Sequence, residues 1–315
     1  MAKIRIGVVG IGHLGTYHLQ KFRMMDPCAI AAVSDSDGAR AAKAAAEYGC
    51  AAFEDYRDLI PHVDAVSIAV PTAAHPEVAG AFLAAGIDVF LEKPLASTLA
   101  EAQALVALAE ANGRIFQAGF IERFNPAIVA LKSLLKAPLF VEAHRLHPFF
   151  ERGTDVDVIL DLMIHDLDIL AWFVPAPLAH VEAVGVRVLS ENVDIANARL
   201  TFENGCVANV TASRVTGKTL QKIRFFGLEG YHAVDFAQRE LVSLKRVRQA
   251  DGKIDIVDNR ADVIPQDPLE AEIRAFVEAV LRRTPPPVTG RDALAAQEMA
   301  GLIGERIQAV EARWA

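Results

Sequence analysis

The chain has 315 residues, 52% of them hydrophobic, and a formal net charge of −8. That length fits two domains with sizeable cores, and the acidic balance argues against nucleic acid or an anionic membrane as partner. The N-terminus carries no cleavable signal pattern, no apolar run approaches transmembrane length, and Cys28, Cys50 and Cys206 form neither a zinc spacing nor a disulfide framework, so a cytoplasmic protein is expected.

Residues 4–9 read as an apolar strand running into Gly10-x-Gly12-x-x-Gly15, with His13 and Leu14 inside the loop. A helical stretch follows, then a second apolar run over 29–33 closed by Asp35, which is the layout of a βαβ dinucleotide fingerprint. Gly10 allows the tight turn, Gly12 lets backbone approach a pyrophosphate, Gly15 lets helix and strand pack, and the helix N-terminus offers N–H groups to the anion. Asp35 at the strand tip can accept from both ribose hydroxyls of NAD and would repel the 2′-phosphate of NADP, so NAD is favoured. Ser34, Ser36 and Arg40 are the residues through which a phosphate would bind instead, and Asp37 reads as the cap of the next helix.

Strand and helix go on alternating: helix over 39–48, strand 63–70, helix 76–85, strand 88–91, helix 97–112 and strand 114–118. This spacing predicts a doubly wound parallel sheet of Rossmann type over residues 1–120. The texture then changes to long alternating strands at 140–147, 180–189, 193–203, 206–214, 223–226, 232–236 and 241–247, with Glu203-Asn204-Gly205 as a hairpin signal. An α+β domain with a large open, mostly antiparallel sheet is expected over 121–290. Its broad face exceeds what the available helices can cover, so a homodimer or homotetramer joined through sheet faces is expected. Helices over 268–283 and 291–313 end the chain.

Ligands of open parallel sheets bind beyond the carboxyl ends of the strands, which directs attention to Pro71, Thr72 and His75 after one strand and to Glu92-Lys93-Pro94 after another. Lys93 beside a nicotinamide can donate a hydrogen bond to a reacting oxygen; a surface lysine paired with Glu92 is the plain alternative. In the later domain Asp157, Asp161, His165 and Asp168 fall on one stripe of an otherwise apolar helix over 156–170. Buried carboxylates beside a histidine are costly unless paired or facing a cavity, so His165 reads as a base with Asp161 orienting it or holding a substrate hydroxyl. An internal Asp–His bond with carboxylates answering the helix dipole is the alternative. No metal-ligand set is evident.

Gly10-x-Gly12-x-x-Gly15, Glu92-Lys93-Pro94 and Asp161-x-x-x-His165, in this order, resemble the Gfo/Idh/MocA family of sugar and cyclitol dehydrogenases over essentially the whole chain. The resemblance implies Lys93, Asp161 and His165 as catalytic residues, with the last two also touching substrate. It also implies that the C-terminal helix, 291–315, packs back on the Rossmann domain. The segments around Arg123 and Asn125, Arg145, Arg152 and residues 193–199 are similar to the branch that oxidises C3 of UDP-N-acetylglucosamine. Arg123, Asn125, Arg145 and Arg152 are accordingly expected to bind substrate, and Arg123, Arg145, Arg152 and Arg214 can supply cations to its diphosphate, although a structural salt bridge is the alternative for each. Branches acting on a UDP-sugar uronic acid or on a free polyol such as inositol, and NAD(P)-binding regulators without turnover, share the plan.

Overall fold

The computed structural model describes residues 3–149, 156–259 and 262–313, which divide into two compact units. The first comprises the chain up to Ile121 together with Asp267–Leu294. It runs β1 (Ile4–Val9), α1 (His13–Arg23), β2 (Cys28–Ser34), α2 (Gly38–Tyr48), β3 (Ala51–Phe53), β4 (Ala65–Ile68), α3 (His75–Ala84), β5 (Asp88–Glu92), α4 (Leu99–Ala111) and β6 (Phe116–Gly119). The strands form one parallel sheet in the order β3-β2-β1-β4-β5-β6, the doubly wound arrangement expected. Helices on both faces of a parallel sheet leave its strands no wet side, which is why β4 is buried along its whole length. Helix boundaries follow local chemistry. The Asp37 side chain caps α2 by accepting from Ala39 and Arg40 N–H, and Gly49 ends that helix in the left-handed region at φ 69°. Thr98 and Glu101 form a reciprocal capping box at the start of α4.

The second unit comprises Glu122–Gln266 and Ala295–Ala315. It holds α5 (Pro126–Leu131), β7 (Phe140–Leu146), a π-helical turn (Ile159–Met163), α6 (Ile164–Phe173), β8 (Leu178–Val186), β9 (Ile195–Phe202), β10 (Val207–Ser213), β11 (Leu220–Gly227), β12 (Gly230–Asp235), β13 (Glu240–Arg248) and β14 (Ile254–Asp258). The sheet order is β14-β13-β12-β11-β7-β10-β9-β8, antiparallel except where β7 pairs with β10. Period-two alternation sends Val141, Ala143, Ala198, Leu200, Ala208 and Val210 inward, with Phe173 of α6 meeting Phe225 edge-on. The opposite face, assigned above to subunit contact, is mixed: Asn197 donates to Thr211, Arg199 to Asn209, and Arg224 pairs with Glu142, while Phe226 lies against Phe140 and Tyr231 and the side chains of Val184, Val186 and Val242 are exposed.

Two helices close the chain, α7 (Pro268–Arg282) and α8 (Gly290–Glu311). The residue ranges differ from those expected. All of α7 belongs to the first unit, where Phe276 packs on Phe90 and Ile273, Val277 and Val280 join the core under β1 and α1. Of α8, only the start through Leu294 counts with that unit, held by Arg291 against Glu110, while Ala295 onward belongs to the second, where Ile307 packs on Gly185 and Glu311 pairs with Arg187.

Candidate active site

The loop between β1 and α1 is shaped by its three glycines. Gly10 has φ +87°, and a Cβ there would lie 2.6 Å from the Ala69 carbonyl oxygen; one on Gly15 would lie 1.8 Å from that of Gly10. A Cβ on Gly12 would meet nothing within 4 Å, so no contact within the fold demands a glycine there and the approach to the loop is open. Helix α1 begins there with no side-chain cap, leaving its first N–H groups available to an anion. His13 and Leu14 are exposed on the first turn, His13 edge-on to Tyr17 at 4.8 Å. Asp35 is buried at the end of β2; one oxygen accepts from Ile11 N–H at 2.7 Å, the other from Asp37 N–H at 2.9 Å, and Arg40 lies 3.2 Å from both. The residues present fit a dinucleotide: an open approach at Gly12, uncapped N–H groups and a carboxylate fixed at the ribose end.

At the other strand ends, Pro71 is exposed and Thr72 buried in a 3-10 turn after β4. His75, singled out in the sequence beside Pro71 and Thr72 as a residue near a ligand, is turned inward. It is 1% exposed, with Nδ1 at 2.8 Å from the Pro94 carbonyl and Nε2 at 3.0 Å from that of Val70, so it ties two loops together from inside. Lys93 is half-buried and precedes Pro94 through a cis peptide bond. The carboxylate of Glu92 lies 3.1 Å from His18 Nε2, and His18 Nδ1 lies 2.8 Å from Ser67 Oγ. Sequence reasoning passed over His18; a histidine one turn beyond Gly15 on the buried side of an otherwise apolar stripe was the available signal.

In the second unit, the helix expected over 156–170 is not uniformly α. Asp157 accepts from Ile159 and Leu160 N–H as an N-terminal cap, a wider π-helical turn follows, and α6 begins only at Ile164. The residues of the expected stripe differ in burial: Asp157, Asp161 and His165 are half-buried, whereas Asp168 is fully buried. Burial pushes the Asp157 carboxyl up, against the pull of its two helix N–H donors and of Arg214.

Three of the arginines expected to meet a diphosphate are committed inside the unit. Arg123 makes a two-pronged pair with Asp168 at 2.6 and 2.8 Å and stacks on Trp172; Arg145 pairs with Asp166 at 3.0 Å through two nitrogens and with Glu122 at 2.8 Å. Burial works against the Arg145 charge, but Asp166 and Glu122 overrule it and raise its pKa. Arg214, 1% exposed, bonds Asp194 and the Val156 carbonyl. Burial pushes the Asp194 carboxyl up, but Ser190 Oγ and the N–H groups of Leu189, Val188 and Ser190 outweigh it and hold it well below the usual carboxylate range. Asn125 likewise is a buried cap, accepting from Ala127 N–H and donating to the Phe236 carbonyl. Each of these three guanidiniums thus has close by the carboxylate that its burial requires. Arg152 lies outside the described residues.

Residues 4–120 match the GFO/IDH/MocA oxidoreductase family, NAD-binding Rossmann fold, and residues 138–233 match the GFO/IDH/MocA C-terminal domain. The chain is 39% identical over 301 residues, covering 94% of it and 96% of the relative, to UDP-N-acetylglucosamine 3-dehydrogenase of Acidithiobacillus ferrooxidans. The solved structure of a UDP-N-acetylglucosamine 3-dehydrogenase from that organism superposes with a TM-score of 0.88 at 36% identity, covering 98% of this chain and 99% of that one. A myo-inositol 2-dehydrogenase of Thermotoga maritima is 29% identical over 96% of this chain and 94% of its own.

Proposed function

We propose that this chain, which belongs to the Gfo/Idh/MocA family of NAD-binding oxidoreductases, is an NAD-dependent dehydrogenase that oxidises the C3 hydroxyl of UDP-N-acetylglucosamine to the 3-keto sugar. The observation that carries this reading is the end-to-end similarity to a UDP-N-acetylglucosamine 3-dehydrogenase. A bound dinucleotide supplies the hydride acceptor. His165 takes the hydroxyl proton as the C–H bond gives up its hydride, Lys93 donates a hydrogen bond to the oxygen that becomes the ketone, and Asp161, one turn before His165, orients it. The test is growth of NADH absorbance with UDP-N-acetylglucosamine, its 3-deoxy analogue and inositol. Turnover of the first alone is expected; turnover of the 3-deoxy sugar overturns oxidation at C3.

A free polyol is the second reading. The internal pairing of Arg123, Arg145 and Arg214 favours it, since it withdraws three cations from a diphosphate. A preference for inositol in the same assay decides for it.

NAD is proposed over NADP because both Asp35 oxygens are held at the end of β2 by backbone N–H groups, in position to repel a 2′-phosphate. Isothermal titration is expected to show tighter binding of NADH than of NADPH. Asp35→Ala removes charge-assisted hydrogen bonds worth about 1.5–3 kcal/mol, and so narrows the gap by roughly 10- to 150-fold. Equal affinities in the unaltered protein would remove Asp35 from the argument.

A further inference from the structure

We infer that Ser67, His18 and Glu92 form a buried relay in the nucleotide unit, in which His18 is a positioning residue that seats the Glu92 carboxylate and thereby the start of the Glu92-Lys93-Pro94 turn. The inference rests on the reading of Lys93 given above. His18 and Ser67 are each 0% exposed, one on α1 and the other in β4. A histidine in such a place costs free energy unless its ring nitrogens are served, and an aliphatic side chain would fill the space more cheaply. Here Nδ1 lies 2.8 Å from Ser67 Oγ and Nε2 lies 3.1 Å from Glu92 Oε1, the second contact close but bent away from the ideal hydrogen-bond line. On this reading the imidazole proton lies on Nε2, toward the carboxylate, and the Ser67 hydroxyl donates to Nδ1. The order of donors is thus set from the buried serine outward to the acid at the strand end.

A third element closes the seat. Gly119 of β6 is the register partner of Glu92, and a Cβ on it would lie 2.9 Å from Glu92 Oε2 and 3.1 Å from Glu92 Cα. The missing side chain is the space the carboxylate occupies. Three elements thus converge on one glutamate whose side chain is 13% exposed, and a strand-end glutamate serving only solubility would need none of them.

Two kinds of measurement test the relay. In protein labelled with ¹⁵N in the imidazole rings, His18 is expected as the Nε2-protonated tautomer, with a proton signal that moves in Glu92→Gln and in Gly119→Ala. A His18 signal indifferent to both overturns the relay. In steady-state assays His18→Leu, which keeps the volume apolar, is expected to lower kcat on the order of 10²-fold with sugar KM within a few-fold, as a small misplacement of a reacting group does. His18→Gln, whose amide can still donate toward Glu92, is expected to recover part of that loss, and Gly119→Ala to reproduce it without touching His18. Ser67→Ala added to His18→Leu is expected to cost nothing more, since the serine acts through the histidine. Additive losses, or a lower Tm with kcat intact, overturn the positioning role. Full turnover in Lys93→Ala defeats the reading of Lys93, and the NMR result then decides the relay by itself.

Discussion

Alanine at Lys93 or at His165 is expected to lower turnover by about 10²–10⁴-fold, the usual worth of proton transfer by a placed side chain, while NADH affinity changes little. Each residue stands where an element ends or changes character: Lys93 directly after β5, His165 on the first turn of α6 just past the π-helical turn. Such a turn is commonly kept where a side chain must be aimed rather than packed. Asp161→Asn retains size and one acceptor, so it is expected to cost less than Asp161→Ala if its task is to orient His165. Stopped-flow traces and steady-state kcat with the true sugar check all four variants. Near-full activity in His165→Ala removes it as the base and leaves Lys93 alone in that role.

The second large effect concerns stability. Asp168→Ala leaves the Arg123 guanidinium buried without its carboxylate and is expected to cost about 3–5 kcal/mol in urea unfolding. Arg123→Met combined with Asp168→Leu removes both charges for similar volume, and is expected to return most of that loss. The pair also separates two roles for Arg123. A diphosphate ligand is worth about 1.5–3 kcal/mol, so its loss would raise the UDP-sugar KM roughly 10- to 150-fold; a structural arginine leaves KM within a few-fold in the double variant. The second result is expected, and a large rise in KM would return Arg123 to the substrate.

The parts of this architecture that were legible in the sequence are those decided within a few residues. The glycine loop, Asp35 at its strand tip and the capping residue Asp37 depend on local backbone demands, and Gly205 at φ +82° sits in the hairpin that Asn204-Gly205 announced. What escaped depends on partners distant in sequence. Asp166 and Asp194 attract no notice until Arg145 and Arg214 are seen beside them, and Arg123 reads as a free cation until Asp168, 45 residues on, is found to hold it. Strand β14 is five residues long and exposed throughout; Ile254-Asp255-Ile256 alternates, but the run breaks at Val257 and is too short to mark a strand by itself. The π-helical turn leaves no imprint on composition, and a stripe counted at 3.6 residues per turn misjudges how Asp157 and Asp161, before or within that turn, stand relative to His165 beyond it.

The placement of α7 also governs how the molecule is made. Ile273, Phe276, Val277 and Val280 complete the core around Phe22, Phe90 and Ile115, and the Gln117 side-chain amide donates to the Glu272 carbonyl. When the first 121 residues leave the ribosome, every strand of the parallel sheet is present but that apolar flank is bare, and it stays bare while the entire second unit is translated. The nascent chain thus carries a finished sheet with an unfinished core, the kind of surface on which chaperones act, and its closure is a late contact of long sequence separation rather than an early local one.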